Sequence, residues 1–217
     1  IAQQAKNAGH PACGRARLEY RAQQVMKICI VGIGLIGGSI ARDAREKGLT
    51  RRIIGVDKNP EHTREALALG VVDEVLTLET AIAASDFIVC ATPVDHLSEL
   101  LPKVLDLLGP EQVAIDAGST KSAVIQAIAQ HPRRGRFVAT HPMWGTEHSG
   151  PAAAVTNAFV NKAAVICNKE QSDPDAVALT ERIYTALGMH LLYMEAAAHD
   201  LHAAYVSHIS HITSFAL

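Results

Sequence analysis

Aromatic side chains are scarce: they make up 4 % of the 217 residues, although apolar residues of all kinds reach 48 %. A core built on Ala, Val, Ile and Leu suits parallel strands covered by Ala-rich helices better than an antiparallel sandwich. An excess of either charge is also lacking, since 20 Lys and Arg stand against 22 Asp and Glu for a formal charge of −2. Without a basic block there is no electrostatic footprint for nucleic acid or an anionic membrane, and small molecules are the expected partners. Cysteines are few and none forms a CxxC pair, which argues against a disulfide framework or a zinc site. Cys29, Cys90 and Cys167 fall in apolar runs that read as strands, and this usage fits a reducing compartment, with the cytoplasm expected. The longest apolar stretch, residues 28–41, is too short to span a bilayer and carries four glycines, and the first residues lack an apolar signal core. No membrane association is expected.

Residues 1–25 are polar and without clean periodicity, and read as an appendage: a linker from an upstream domain, a tail, or sequence translated ahead of a true start at Met26. From Lys27 short β-branched runs alternate with Ala/Leu-rich stretches of helical period, the pattern of repeated βαβ units. Strands are predicted over 27–31, 52–56, 87–91, 113–115, 136–139, 163–167 and 190–193, with a weaker one at 74–76. Helices are predicted over 36–47, 60–69, 94–108, 121–130 and 174–187, and a long one from 196 to 217. The expected architecture is α/β, a doubly wound, mostly parallel Rossmann-type sheet over 26–195. Residues 196–217 follow the sheet as one long helix.

Gly32, Gly34 and Gly37 form a GxGxxG run that directly follows the first predicted strand and opens the first helix. In that context the first glycine permits a tight turn, the second lets a pyrophosphate approach the backbone, and the third lets helix and strand pack closely. Leu35 and Ile36, between them, are counted with this phosphate corner. Asp57 ends the second strand 20 residues beyond Gly37, where a carboxylate accepts hydrogen bonds from an adenosine ribose and repels a 2′-phosphate, favouring NAD over NADP. The same residue can instead cap the helix near Pro60, and Lys58 leaves NADP open. Thr92 and Pro93 follow the strand after Asp86, where a doubly wound sheet binds ligands; Thr92 is a cofactor contact, a helix N-cap, or both.

The fifth strand runs into Asp116-Ala117-Gly118-Ser119-Thr120-Lys121 and the sixth into Thr140-His141-Pro142-Met143-Trp144-Gly145-Thr146-Glu147. Both deliver polar groups to the cofactor edge. An imidazole there can take a hydroxyl proton while hydride leaves the same carbon, and a hydroxyl such as Ser119 can orient it.

The order GxGLIGGS, Asp57, ATPV, DAGSTK, HPMWGTE, His199-Asp200 and Ser207-His208-Ile209-Ser210-His211 resembles the prephenate/arogenate dehydrogenase family from Met26 to Leu217. The resemblance implies oxidative decarboxylation of prephenate by NAD to 4-hydroxyphenylpyruvate in tyrosine biosynthesis, or of arogenate to tyrosine. It implies that His141 accepts the C4 hydroxyl proton and that Ser119 hydrogen-bonds His141. It further implies that Thr146 and Glu147 line the substrate pocket and that His199 and His211 approach substrate. The resemblance also implies that residues 196–217 begin an all-helical second domain, which forms a homodimer and supplies a substrate-binding arginine beyond Leu217, so that the present segment would bind NAD but turn over prephenate poorly. Two positions depart from the family pattern: Trp144 stands where a small residue is common, and Ser210 where proline is frequent. Trp144 either narrows the pocket or packs beneath the loop.

His199, His202, His208 and His211 invite a metal, but at 100° per residue they spread around a helix and do not line one face, so none is expected. Two further readings compete: another NAD-linked dehydrogenase or reductase acting on a hydroxy or imino acid, and a non-enzymatic NAD-binding module.

Overall fold

The computed structural model describes residues 25–215, with side chains described through Tyr205; residues 1–24 of the predicted appendage and the side chains of His208, Ser210 and His211 lie outside that range. In chain order the elements are β1 (Met26–Val31), α1 (Leu35–Glu46), β2 (Thr50–Val56), α2 (Pro60–Ala68), β3 (Glu74–Val75), α3 (Leu78–Ala83), β4 (Phe87–Cys90) and α4 (Val94–Leu107). There follow β5 (Val113–Asp116), α5 (Ser122–Ala127), β6 (Phe137–Pro142), β7 (Ala163–Cys167), α6 (Pro174–Ala186), β8 (His190–Met194) and α7 (Ala196–Phe215).

The strands form one sheet of order β3-β2-β1-β4-β5-β6-β7-β8. Every pairing is parallel except β6 with β7. The order reverses between β1 and β4, so the crevice outside their carboxyl ends is the switch point where such sheets take ligands. Because β1, β4, β5 and β6 run parallel, the residues that follow them share one edge of the sheet.

Alternation along the strands explains why both faces are covered. Ile28, Ile30, Phe87, Val89, Val113 and Ile115 point into one core with Ile40 and Ala44 of α1 and Ile183 of α6. Cys29, Val31, Ile88, Cys90 and Ala114 point into the other with Leu97 and Leu101 of α4 and Val124 of α5. The three strand cysteines are the buried thiols expected: burial pushes Cys29 and Cys167 up to about 12 and Cys90 well above its ordinary value.

The structure corrects the sequence reading in three places. Helix α3 was not expected; it is only six residues long, too short to display periodicity, and Thr77 caps it by accepting from the N–H of Thr80. Helix α5 is shorter than the predicted 121–130, because residues 128–130 are a turn and Lys121 is drawn inward ahead of it. Strand β6 runs on to Pro142, since β7 pairs antiparallel with it and sets His141 opposite Val165. His141 is therefore part of a strand and does not sit in the loop after it. Among the described residues no helix is long and apolar enough to cross a membrane.

Candidate active site

The three glycines of the first turn differ in what surrounds them. Gly32 has φ +96°, and a Cβ there would lie 2.7 Å from the carbonyl oxygen of Ala91. At Gly37 a Cβ would lie 2.2 Å from the carbonyl oxygen of Gly32, so these two residues hold β1, α1 and the end of β4 in contact. At Gly34 a Cβ would meet nothing within 4 Å. Gly34 is the N-cap of α1 and makes no side-chain capping bond, which leaves the helix N-terminus open to an anion. The side chain of Leu35 is buried, so only its main chain is available to a ligand, while that of Ile36 is partly buried against the core.

Asp57 ties this corner together. One carboxylate oxygen accepts from the N–H of Ile33 at 2.9 Å and the other from the N–H of Asn59 at 2.9 Å. Oδ2, which accepts from Ile33, also lies 3.5 Å from Nδ1 of His62, while Oδ1 keeps a second lone pair with which to accept a ribose hydroxyl. The cap of α2 is Asn59, which accepts from the N–H of Glu61, and the capping alternative for Asp57 falls. The N-cap alternative for Thr92 falls as well: Pro93 occupies the N-cap of α4 with no side-chain bond, and the Thr92 hydroxyl is buried without a partner. An unpartnered hydroxyl next to the Gly32 turn and an open helix N-terminus at Gly34 can both bond a nucleotide. These residues fit NAD.

The strand ends of β5 and β6 are joined by a buried polar cluster that sequence reasoning missed. Lys121 and Asp116 are fully buried and form an ion pair, and Lys121 also donates to the carbonyl of Thr140 at 2.7 Å. Asp116 accepts from the N–H groups of Gly118 and Thr140, while the Thr140 hydroxyl bonds the Asp116 carbonyl and, at 2.7 Å, the hydroxyl of Tyr184. The signal was present as the DxxxxK spacing, but no periodicity distinguishes an inward Lys from a surface one.

Alternation along β6 turns Thr140 towards Tyr184 and His141 to the opposite face, where α7 arrives. There Nδ1 of His141 lies 2.9 Å from Nε2 of His199, and Nδ1 of His199 lies 2.9 Å from Asp200. Asp200 also accepts from the N–H groups of Lys121 (2.7 Å) and Ser122 (2.8 Å), capping α5 from 79 residues away. Burial, then the Lys121 charge and His199, bring the His141 imidazole down to about 4, so it is neutral at pH 7. Asp200 is held at about 2: burial acts to raise it, but its hydrogen bonds from Ser122, His199 and Lys121 prevail.

The predicted residues therefore divide. Gly32, Gly37, Asp57 and Thr92 meet at one corner around the turn that carries Gly34. Ser119 is exposed after β5 and forms no hydrogen bond with His141; the expected pair is replaced by His141 with His199. His199, expected at the substrate, is 2 % exposed and bonded to His141. Thr146 and Glu147 sit on an exposed loop, where Thr146 accepts from the N–H of His148 and Glu147 lies 3.5 Å from the His148 ring. Trp144 packs edge-on against Phe159 at 5.5 Å, which decides for packing beneath the loop. That loop is clipped to the cofactor helix by two residues also missed in the sequence: buried Ser39 and Asp43 of α1 accept from the N–H groups of Val155 and Asn157.

Residues 40–193 match the family described as prephenate dehydrogenase, nucleotide-binding domain. The chain belongs to the prephenate dehydrogenase family. It is 32 % identical over 193 residues to a prephenate dehydrogenase of Bacillus subtilis, covering 88 % of this chain and 52 % of that one. It thus spans about half the length of the curated relatives it matches. Among solved structures, the Aquifex aeolicus prephenate dehydrogenase in complex with hydroxyphenyl propionate and NAD+ superposes with a TM-score of 0.81 at 30 % identity, covering 90 % of this chain and 68 % of that one. A Synechocystis arogenate dehydrogenase gives a TM-score of 0.76 at 32 % identity, covering 84 % and 64 %. Within the prephenate dehydrogenase family, the present chain supplies the sheet, the glycine corner and the histidine-bearing strand end.

Proposed function

We propose that this chain is the NAD-binding and general-base half of a prephenate dehydrogenase, which converts prephenate to 4-hydroxyphenylpyruvate and carbon dioxide. The observation that carries this reading is the neutral imidazole of His141 at the end of β6, on the sheet edge that also holds the glycine corner. NAD, when bound, supplies the hydride acceptor. Gly32, Gly34 and Gly37, with the main-chain N–H groups of Leu35 and Ile36, would hold its pyrophosphate; Asp57 would hold its ribose, and Thr92 with Pro93 would line its inner edge. His141 takes the proton of the ring C4 hydroxyl as the carbon gives up hydride, and Ser119, exposed on the neighbouring strand end, contacts the same hydroxyl. Aromatisation on loss of carbon dioxide supplies much of the driving force, so these residues mainly position and polarise. Thr146 and Glu147 line the substrate side. A helical partner domain would complete the substrate clamp and pair the protein as a homodimer, in the cytoplasm.

An arogenate dehydrogenase is also among the similar structures, and the second reading, to be tested against prephenate, is oxidation of arogenate to tyrosine. NADH absorbance followed with a full-length protein separates the two. NADH formation is expected with prephenate, and His141→Asn is expected to lower kcat about 100- to 10,000-fold. Formation with arogenate alone would favour the second reading, and formation with neither would overturn both.

A further inference from the structure

The contacts of His141 raise a question of proton placement that the proposed function leaves open. A base must present a bare nitrogen to its substrate, and an imidazole has two nitrogens whose roles are set by their partners. Asp200 is an acceptor only, so the His199 nitrogen facing it at 2.9 Å carries a proton. In a neutral ring the other nitrogen, Nε2, is then an acceptor. It faces Nδ1 of His141 at 2.9 Å, with the two rings nearly perpendicular at 80°. That nitrogen of His141 must therefore donate, which leaves Nε2 bare. No hydrogen bond among the described residues occupies Nε2.

We infer that Asp200 and His199 are positioning residues that act in series on His141, fixing its Nδ1–H tautomer so that Nε2 is the nitrogen that takes the proton. The inference rests on the reading of His141 as the base. It assigns His199 a place behind the base, away from substrate, in keeping with its 2 % exposure. The chain of bonds also spans the fold: Asp200 grips the N–H groups of Lys121 and Ser122, so the same carboxylate that orients the base anchors the segment carrying Ser119. When Nε2 takes a proton, the Asp200 carboxylate behind His199 favours the imidazolium and opposes the disfavouring charge of Lys121.

Two measurements on a full-length protein test this. Nitrogen-15 NMR of the histidine rings near neutral pH, without substrate, is expected to show His141 protonated at Nδ1 and bare at Nε2. The opposite tautomer, with a doubly protonated His199, would overturn the inference while leaving the proposed reaction standing. For the variants, His199→Gln can accept from His141 and donate to Asp200, whereas His199→Leu can do neither. The Gln variant is expected to keep kcat within about tenfold and the Leu variant to lose about 100-fold, with NAD affinity unchanged in both. Equal losses in the two would make the position merely structural and also overturn it.

Discussion

The glycine corner and the histidine cluster lie on one edge of the same sheet but are built in opposite ways. The corner's side-chain hydrogen bonds are short in range: Asp57 reaches the N–H of Ile33 across 24 residues and that of Asn59 across two, while Gly32 meets the end of β4 by close backbone approach. The cluster draws β5, β6 and α7 together, with His141 and His199 58 residues apart and Lys121 and Asp200 79 apart. The corner is held by backbone approach and small residues, the cluster by buried charges and hydrogen bonds. One depends on shape and the other on proton placement, so different perturbations should break them.

The largest effect is expected in the cluster. Lys121→Met leaves Asp116 buried without its cation, which costs about 3–5 kcal/mol of folding stability, measured by denaturant unfolding. A loss below about 1 kcal/mol would mean that the pair contributes little.

Acid should act on the cluster next. The ordinary value of 6.5 for a histidine applies in the unfolded chain, and His141 sits at about 4 when folded, so the unfolded state takes up the proton first. Stability is therefore level above about 6.5 and falls as pH drops from there towards 4, by at most about 3 kcal/mol from this group. The Asp200 contribution is present above 3.8 and is lost as pH falls towards about 2. Thermal melts of His141→Asn should show a flatter curve between pH 6.5 and 4 than the parent, and an unchanged slope would contradict the assigned burial.

The smallest effects should sharpen the contrast within the corner. Gly37→Ala forces a Cβ against the Gly32 carbonyl and is expected to lose about 1–3 kcal/mol of stability. Gly34→Ala meets nothing, so its melting temperature should hold while affinity for NAD drops about tenfold, or about 1.4 kcal/mol. Titration calorimetry beside thermal melts separates the two.

The same contrast explains what was legible in the sequence. A glycine spacing between a strand and a helix, followed by an acidic strand end, encodes its geometry in neighbouring residues, and the Rossmann-type order followed from alternating periods. Partner choice over long separations left no such mark. Ser119 was the nearer candidate for His141 in motif terms, yet α7 brings His199 against that ring, and only the packing of α7 on α5 through Asp200 decides this. The short α3 and the inward turn of Lys121 were hidden for a related reason, because capping and ion pairing set them and hydrophobic period does not.

The most direct test of the account is a crystal structure of a full-length protein with NAD and a 4-hydroxyphenyl ligand. The phenol oxygen is expected about 2.6–3.2 Å from Nε2 of His141, with the nicotinamide stacked over the ring carbon that bears it. A phenol oxygen held by other groups, with His141 turned away from both ligands, would contradict it.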